Sequence, residues 1–257
     1  MTSVTQRIKQ TKQPRGGYIN PRSMEVIQRE DEHPSPLDHK VESVHASLMG
    51  MSVDYLTRLA GGTDPYDVFR ISLMGAQLLG AHTFNDAETL VAQLKAGHVD
   101  EFTIHAACKL AGCDVAFRAG PRMFNPEART TPDAITTEHI KVMVERSLSF
   151  FAEYGPVTLD GFMFPGGYTE LVDTGDGDFL TADTLWDFKV SVNGPTKDHT
   201  LQLLMYWLMG LRSGQPEFES ITHLGVFNPR LNRVYRFALA DVPAEVVAEV
   251  SSEVIGF

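Results

Sequence analysis

The chain has 257 residues, of which 43% are hydrophobic and 21% charged, and its formal net charge is −11. This composition is ordinary for a globular protein that buries a substantial apolar core. The N-terminus has no apolar signal segment, and no run of about 18 uncharged apolar residues occurs, so we expect neither a secretory leader nor a membrane span. The two cysteines, Cys108 and Cys113, are too few for a four-cysteine zinc site. We expect them to be reduced thiols of a cytoplasmic protein.

The acidic charge disfavours a nucleic-acid partner, because phosphate groups are neutralised by Lys and Arg. Two basic segments favour such a partner, since residues 7–22 and 228–236 contain several basic residues and no acid. Such patches can attract a polyanion to a protein that is acidic overall. We therefore expect Arg230 and Arg233 to contact nucleic acid.

The first half of the chain divides into two parts. Residues 1–37 are rich in Gly and Pro, show no sustained period and are predicted to form an extended basic arm. Residues 38–134 are predicted to form a helical elaboration that ends in an irregular stretch at 113–132. Its helices are expected at about 41–59, 65–80, 86–96 and 100–111.

The second half, residues 135–257, has the pattern of an α/β core. A helix at about 134–154 precedes the change of character at Gly155-Pro156. Strands are expected at 157–164, 170–181, 184–191, 221–227 and 233–239, with a long helix at about 197–211 and a short one after Pro243. The fold class is thus α/β, with a mixed central sheet flanked by helices and an N-terminal helical elaboration.

Three chemically reactive side chains share one face of the predicted hairpin around residue 182. A turn at residues 182–183 pairs Asp178 with Asp187, and strand alternation puts Lys189 on the same face. Two opposed carboxylates destabilise a hairpin unless a cation compensates them. Asp176 lies on this face as well and is the alternative to Asp178.

This arrangement predicts a metal site of hard oxygen ligands. Mg²⁺ or Mn²⁺ suits Asp178 and Asp187, and the backbone carbonyl of Phe188 is a plausible additional ligand. Lys189 would position or activate an attacking water and stabilise charge on a phosphate. The alternative without a metal site is a surface hairpin with a structural salt bridge. A calcium loop at 173–178 is excluded. The EF-hand pattern requires Gly at the sixth position of the loop, and no Gly is found there from either Asp with which the loop could begin.

These residues carry a family resemblance. Gly175-x-x-Asp178 followed by Asp187-Phe188-Lys189 resembles the signature of PD-(D/E)xK nucleases, and Gln202 with Tyr206 resembles the Q-x-x-x-Y motif of their RecB-like branch, which includes CRISPR-associated and phage exonucleases. The resemblance implies a restriction-endonuclease-like core and metal-dependent hydrolysis of phosphodiester bonds, with DNA favoured over RNA. It also implies that Gln202 organises the site and that Tyr206 contacts the nucleic-acid backbone.

Several alternatives stay open at this point. Members of the RecB-like branch often add a His or Glu from an earlier helix, for which His45, His139 and Glu145 are the candidates. The chain has no P-loop motif, so any helicase activity would come from a protein partner. An RNA-directed nuclease and a binding or assembly protein without turnover are the competing functions.

Overall fold

All strands belong to one six-stranded mixed sheet, which is flanked by helices as the sequence predicts. The computed structural model describes residues 2–257. The strands are Glu25–Gln28 (β1), Leu159–Met163 (β2), Asp176–Leu180 (β3), Thr184–Phe188 (β4), His223–Asn228 (β5) and Arg233–Ala238 (β6). The helices are Val4–Gln10 (α1), Ala46–Ala60 (α2), Pro65–Val68 (α3), Arg70–Leu78 (α4), Ala81–Gln93 (α5), Glu101–Ala111 (α6), Asp114–Arg118 (α7), Ala134–Tyr154 (α8), Lys197–Ser213 (α9) and Ala244–Glu249 (α10), the last followed by a π-helical turn at Val250–Ile255.

The sheet has the order β1-β6-β5-β4-β3-β2. Strands β2, β3 and β4 form an antiparallel meander, and β4 then pairs in parallel with β5. A parallel pair needs a crossover connection, which α9 provides. Strands β2 and β1 form the two edges of the sheet.

Each face of the sheet is covered by a different helix. On one face, Leu180 and Leu185 pack with the apolar side of α9. On the other face, Phe150 of α8 stacks on Phe227 at a centroid distance of 4.2 Å and meets Trp186 edge-on at 4.9 Å. The N-terminal half of α8 packs instead against the helical layer, which we define as α2–α7 (residues 46–118). Helix α8 therefore joins the helical layer to the sheet.

The N-terminal 37 residues differ from the predicted extended arm. Helix α1 buries Val4 and Ile8 against the α9 side of the sheet, and β1 pairs with β6. Gly175 allows this packing, because a Cβ there would lie only 2.8 Å from Cγ2 of Val4. Both elements are short and pair with distant segments, so periodicity in the sequence does not reveal them.

Several other boundaries also differ from prediction, among them the start of α5 at Ala81 and the end of β4 at Phe188. The stretch at 113–132 includes the short helix α7, and β3 begins at Asp176, several residues after the predicted start at 170. Within residues 2–257, each helix is too short or too polar to serve as a membrane-spanning segment.

Candidate metal and catalytic site

The β3–β4 hairpin has the predicted register. Leu180 pairs with Leu185 and Phe179 with Trp186, which places the turn at residues 182–183. The backbone ladder between the strands does not continue to the two aspartates. Instead, the Asp178 side chain enters the gap, and its Oδ2 accepts a hydrogen bond of 2.6 Å from the backbone N–H of Phe188. The strands therefore diverge at the position where the carboxylates meet.

Asp187 and Lys189 form an ion pair beside Asp178. Lys189 Nζ donates to Asp187 Oδ1 over 2.9 Å, and the lysine side chain is 30% exposed whereas that of Asp187 is 3% exposed. The second oxygen, Asp187 Oδ2, is buried and has no hydrogen-bond partner in the described part of the chain. An unpaired buried carboxylate oxygen is costly, so this atom is available as a ligand to a cation.

The electrostatics of the pair also favour a cation. Burial, followed by the charge of Asp187, raises the pKa of Asp178 to about 8, although Lys189 and the N–H of Phe188 act in the lowering direction. Burial lowers the pKa of Lys189, but the charges of Asp187 and Asp178 outweigh that effect and the net pKa is raised. Lys189 is therefore an ammonium ion at neutral pH, and Asp178 retains its proton until a cation near the two carboxylates replaces it.

Helix α9 brings the predicted Gln202 and Tyr206 near this hairpin. Gln202 Nε2 donates to the Tyr206 hydroxyl over 2.8 Å, as expected for residues one turn apart. Burial raises the pKa of Tyr206, and the hydroxyl stays protonated. Because Tyr206 is 4% exposed, it has almost no surface to offer a polymer. The predicted nucleic-acid contact is thus replaced by a structural one, in which Tyr206 holds the Gln202 side chain.

Helix α2 supplies a carboxylate that the sequence analysis missed. Asp54 is half-buried, and its charge contributes to the raised pKa of Asp178. Burial raises the pKa of Asp54 itself to about 6, while the neighbouring Arg58 acts in the lowering direction. Asp54 and Arg58 are four residues apart on one face of an otherwise apolar helix, and this polar stripe was the available signal.

A cavity of about 660 Å³ lies between the helical layer and the β2–β3 edge of the sheet. Asp178 and Phe188 line it on the sheet side and Asp54 on the helical side, whereas Asp187 and Lys189 are not part of the lining. The lining has three arginines, all from the helical layer. It has six aspartates: Asp54, Asp67, Asp160, Asp173, Asp176 and Asp178. The lining thus has three formal negative charges in excess.

The predicted nucleic-acid contacts Arg230 and Arg233 lie elsewhere. Arg230 is 2% exposed, and its guanidinium donates to both oxygens of Glu42, over 2.6 Å and 2.9 Å. It is therefore an internal ion-pair residue, and the prediction of a nucleic-acid contact was wrong. Arg233 is on β6, three strands from β3, which corresponds to about 14 Å, and it donates to Gln28 over 2.6 Å.

None of the three residues proposed to complete the site from an earlier helix is placed there. His139 contacts Glu42 over 2.9 Å, Glu145 faces His33 at 4.0 Å, and His45 bonds to Ser47 over 2.7 Å. Each is engaged with a partner outside the β3–β4 hairpin. Asp54 of α2 is instead the carboxylate that the helical layer contributes to the cavity beside Asp178.

The donor set fits a divalent cation in its chemistry but is not a closed cage. Among residues 2–257, no three His, Cys, Asp or Glu side chains are arranged as a complete metal site. An ion would need solvent and substrate oxygens in addition to the carboxylates, as is usual for Mg²⁺. Comparison with protein-family models, with curated proteins and with solved structures gives no match to this chain.

Proposed function

We propose that the protein is a divalent-metal-dependent nuclease of the PD-(D/E)xK type, with DNA as the first substrate to test. The observation that carries the proposal is the convergence of Asp178, Asp187 and Lys189, with one buried Asp187 oxygen unpaired and the pKa of Asp178 raised. Structural ion pairs also perturb pKa values, but they seldom leave a buried carboxylate oxygen without a partner. The mixed sheet flanked by helices agrees with the core that the resemblance implies.

In this proposal the carboxylates hold Mg²⁺ or Mn²⁺. Asp178 and Asp187 are the principal ligands, and Asp54 adds negative charge from the helical layer. The backbone carbonyl of Phe188, next to Asp187 on β4, is a further candidate ligand. When bound, the cation supplies a Lewis acid that polarises the phosphoryl oxygen.

The other roles belong to side chains of the protein. Lys189 Nζ, anchored 2.9 Å from Asp187, orients the attacking water and stabilises negative charge that develops on the phosphate. Gln202 is fixed by its 2.8 Å bond to Tyr206 and supports the site from α9. Because both side chains are held before substrate arrives, little reorganisation is needed at the moment of reaction.

The test uses purified protein with Mg²⁺ or Mn²⁺ on linear and circular, single- and double-stranded DNA. Asp187→Asn and Lys189→Met should each lower the hydrolysis rate by roughly 10²–10⁴. Asp241→Asn and Lys141→Met, at exposed positions outside the site, are matched controls and should retain the wild-type rate. Hydrolysis that persists unchanged in both site variants would exclude the proposed role.

Two competing functions remain to be separated from this one. A binding or assembly protein without turnover is favoured by the Lys189–Asp187 ion pair, which can serve as a structural salt bridge. A protein of this kind should either fail to bind Mn²⁺ or bind it equally well after Asp178→Ala. An RNA-directed nuclease would cleave a matched RNA strand in preference to DNA.

A further inference from the structure

The three arginines of the cavity point to a substrate-binding role for the helical layer, and this inference rests on the proposed function. Arg58 follows Asp54 by one turn of α2, Arg70 begins α4, and Arg118 ends α7. All three line the cavity opposite the β2–β3 edge that contributes Asp178. We propose that Arg58, Arg70 and Arg118 bind the phosphates of a single-stranded nucleic acid and present it to the carboxylates.

Arg58 has the strongest individual indication of a missing ligand. Its Nε is buried and has no hydrogen-bond partner among the residues that the structure describes. A guanidinium presents five donors in a fixed fork, and phosphate oxygens match that geometry. Within residues 2–257, the carboxylate that forms an ion pair with it is Asp160 of β2, which is 3.6 Å from its terminal nitrogen and lies across the cavity.

Arg118 and Arg70 extend this positive surface. The Arg118 side chain is 53% exposed and rests 3.7 Å from the buried carboxylate of Asp114, which orients it without consuming all its donors. Asp114 is itself fixed by the hydroxyls of Tyr55 and Ser72. Arg70 is exposed at the same wall. The three side chains come from three different helices, so the fold, and not local sequence, brings them together.

The size of the cavity selects a single strand. A volume of about 660 Å³ accommodates a drug-sized molecule, which is the scale of one or two nucleotides and not of two paired strands. Binding through phosphates with nearby rings is typical of single-strand grooves. The rings in the lining on the sheet side are Phe151, Tyr168, Phe179 and Phe188.

Asp160 gives the inference a distinctive consequence. Its carboxylate is 54% exposed and competes with a phosphate for Arg58. Removing the charge in Asp160→Asn should release Arg58 and raise affinity for a single strand by about two- to fivefold, the range expected for an exposed ion pair. A purely structural Arg58–Asp160 pair would not produce a gain.

The experiment measures fluorescence anisotropy of labelled oligothymidylate and of a duplex of equal length, with Mn²⁺ present and in the Lys189→Met background so that the strand stays intact. Arg58→Gln and Arg118→Gln should each weaken single-strand binding about tenfold and lower the slope of log affinity against log salt by about 0.7. Arg122→Gln, an exposed arginine outside the cavity, is the control and should have no effect. Unchanged single-strand affinity in both variants, or an equal loss on the duplex, overturns the inference.

The outcome is separable from that of the proposed function. If the wild-type protein hydrolyses DNA but the arginine variants bind normally, the inference fails and the nuclease stands. If the wild-type protein does not hydrolyse nucleic acid but loses affinity on these substitutions, the nuclease fails and the binding surface stands.

Discussion

Replacement of Asp178 by Asn should stabilise the metal-free protein while it removes metal binding. Asparagine has nearly the same shape and keeps an oxygen that can accept the 2.6 Å bond from the N–H of Phe188. It cannot ionise next to Asp187, so the repulsion and desolvation that raise the pKa of Asp178 disappear. The substitution therefore isolates the electrostatic cost of a metal site in the absence of its ion.

The size of this effect follows from the pKa of Asp178. The folded protein has a pKa of about 8 at this group, against 3.8 for the free side chain. At pH 7 the unfolded chain has therefore released the proton and the folded chain has not. The relevant interval, from the pKa of 3.8 of the free side chain to pH 7, is about three pH units. At about 1.4 kcal/mol per unit this destabilises the wild-type protein by about 4 kcal/mol, an upper bound because local relaxation and water reduce the penalty.

The sign of the pH dependence is also fixed. Between pH 3.8 and about 8 the folded state binds one more proton at Asp178 than the unfolded state, so wild-type stability falls as pH rises through that window. Below pH 3.8 both states are protonated and the contribution vanishes. The advantage of Asp178→Asn should accordingly be absent at the acidic end and largest near pH 8.

The assay is urea unfolding in EDTA at several pH values, repeated with Mn²⁺. Mn²⁺ at 100 times its dissociation constant should stabilise the wild-type protein by about 2.7 kcal/mol and leave Asp178→Asn nearly unchanged. The reasoning fails if the variant is no more stable than wild type in EDTA at pH 7. It fails equally if Mn²⁺ stabilises both proteins to the same extent.

Three other substitutions have definite expected outcomes. Arg230→Met removes the guanidinium from the buried Glu42, which keeps its contact with His139, and should cost up to about 3–5 kcal/mol in urea unfolding, with nucleic-acid affinity of the folded protein unchanged. Gly225→Ala would place a Cβ 2.3 Å from the Trp186 ring and should lower the free energy of unfolding by about 1–3 kcal/mol. Tyr206→Phe removes the hydroxyl that accepts the hydrogen bond from the Gln202 amide. It should reduce hydrolysis about tenfold while Mn²⁺ affinity, measured by titration, is retained.

The central hairpin could be predicted because its information is local. The register of Leu180 with Leu185 and of Phe179 with Trp186 depends only on a short turn and on strand alternation, and both are properties of a dozen consecutive residues. Beyond this register the ladder ends, and Asp178, Asp187 and Lys189 are joined by side-chain hydrogen bonds instead. The spacing of Gln202 and Tyr206 on α9 was equally local, since residues four apart in a helix are neighbours.

The remaining features depend on contacts between distant segments. Arg230 looked like a surface cation because its partner, Glu42, is 188 residues earlier in the chain. Asp54 reaches the site only because α2 packs against α8, and nothing near residue 54 specifies that docking. Tyr206 was expected to contact substrate, but the burial of its ring is decided by the packing of α9 against the sheet and of α1 near Gly175.

The acidic character of the chain is compatible with a polyanionic substrate if charge is considered at the cavity and not over the whole molecule. The lining carries six aspartates against three arginines, so without a cation it would repel phosphate. Divalent ions held by Asp178 and its neighbours would cancel the excess, and the arginines would then lie opposite a neutralised surface. Affinity for a single strand should consequently depend on Mn²⁺ even where no bond is hydrolysed. Under the proposed function, the cation should therefore bind before the nucleic acid.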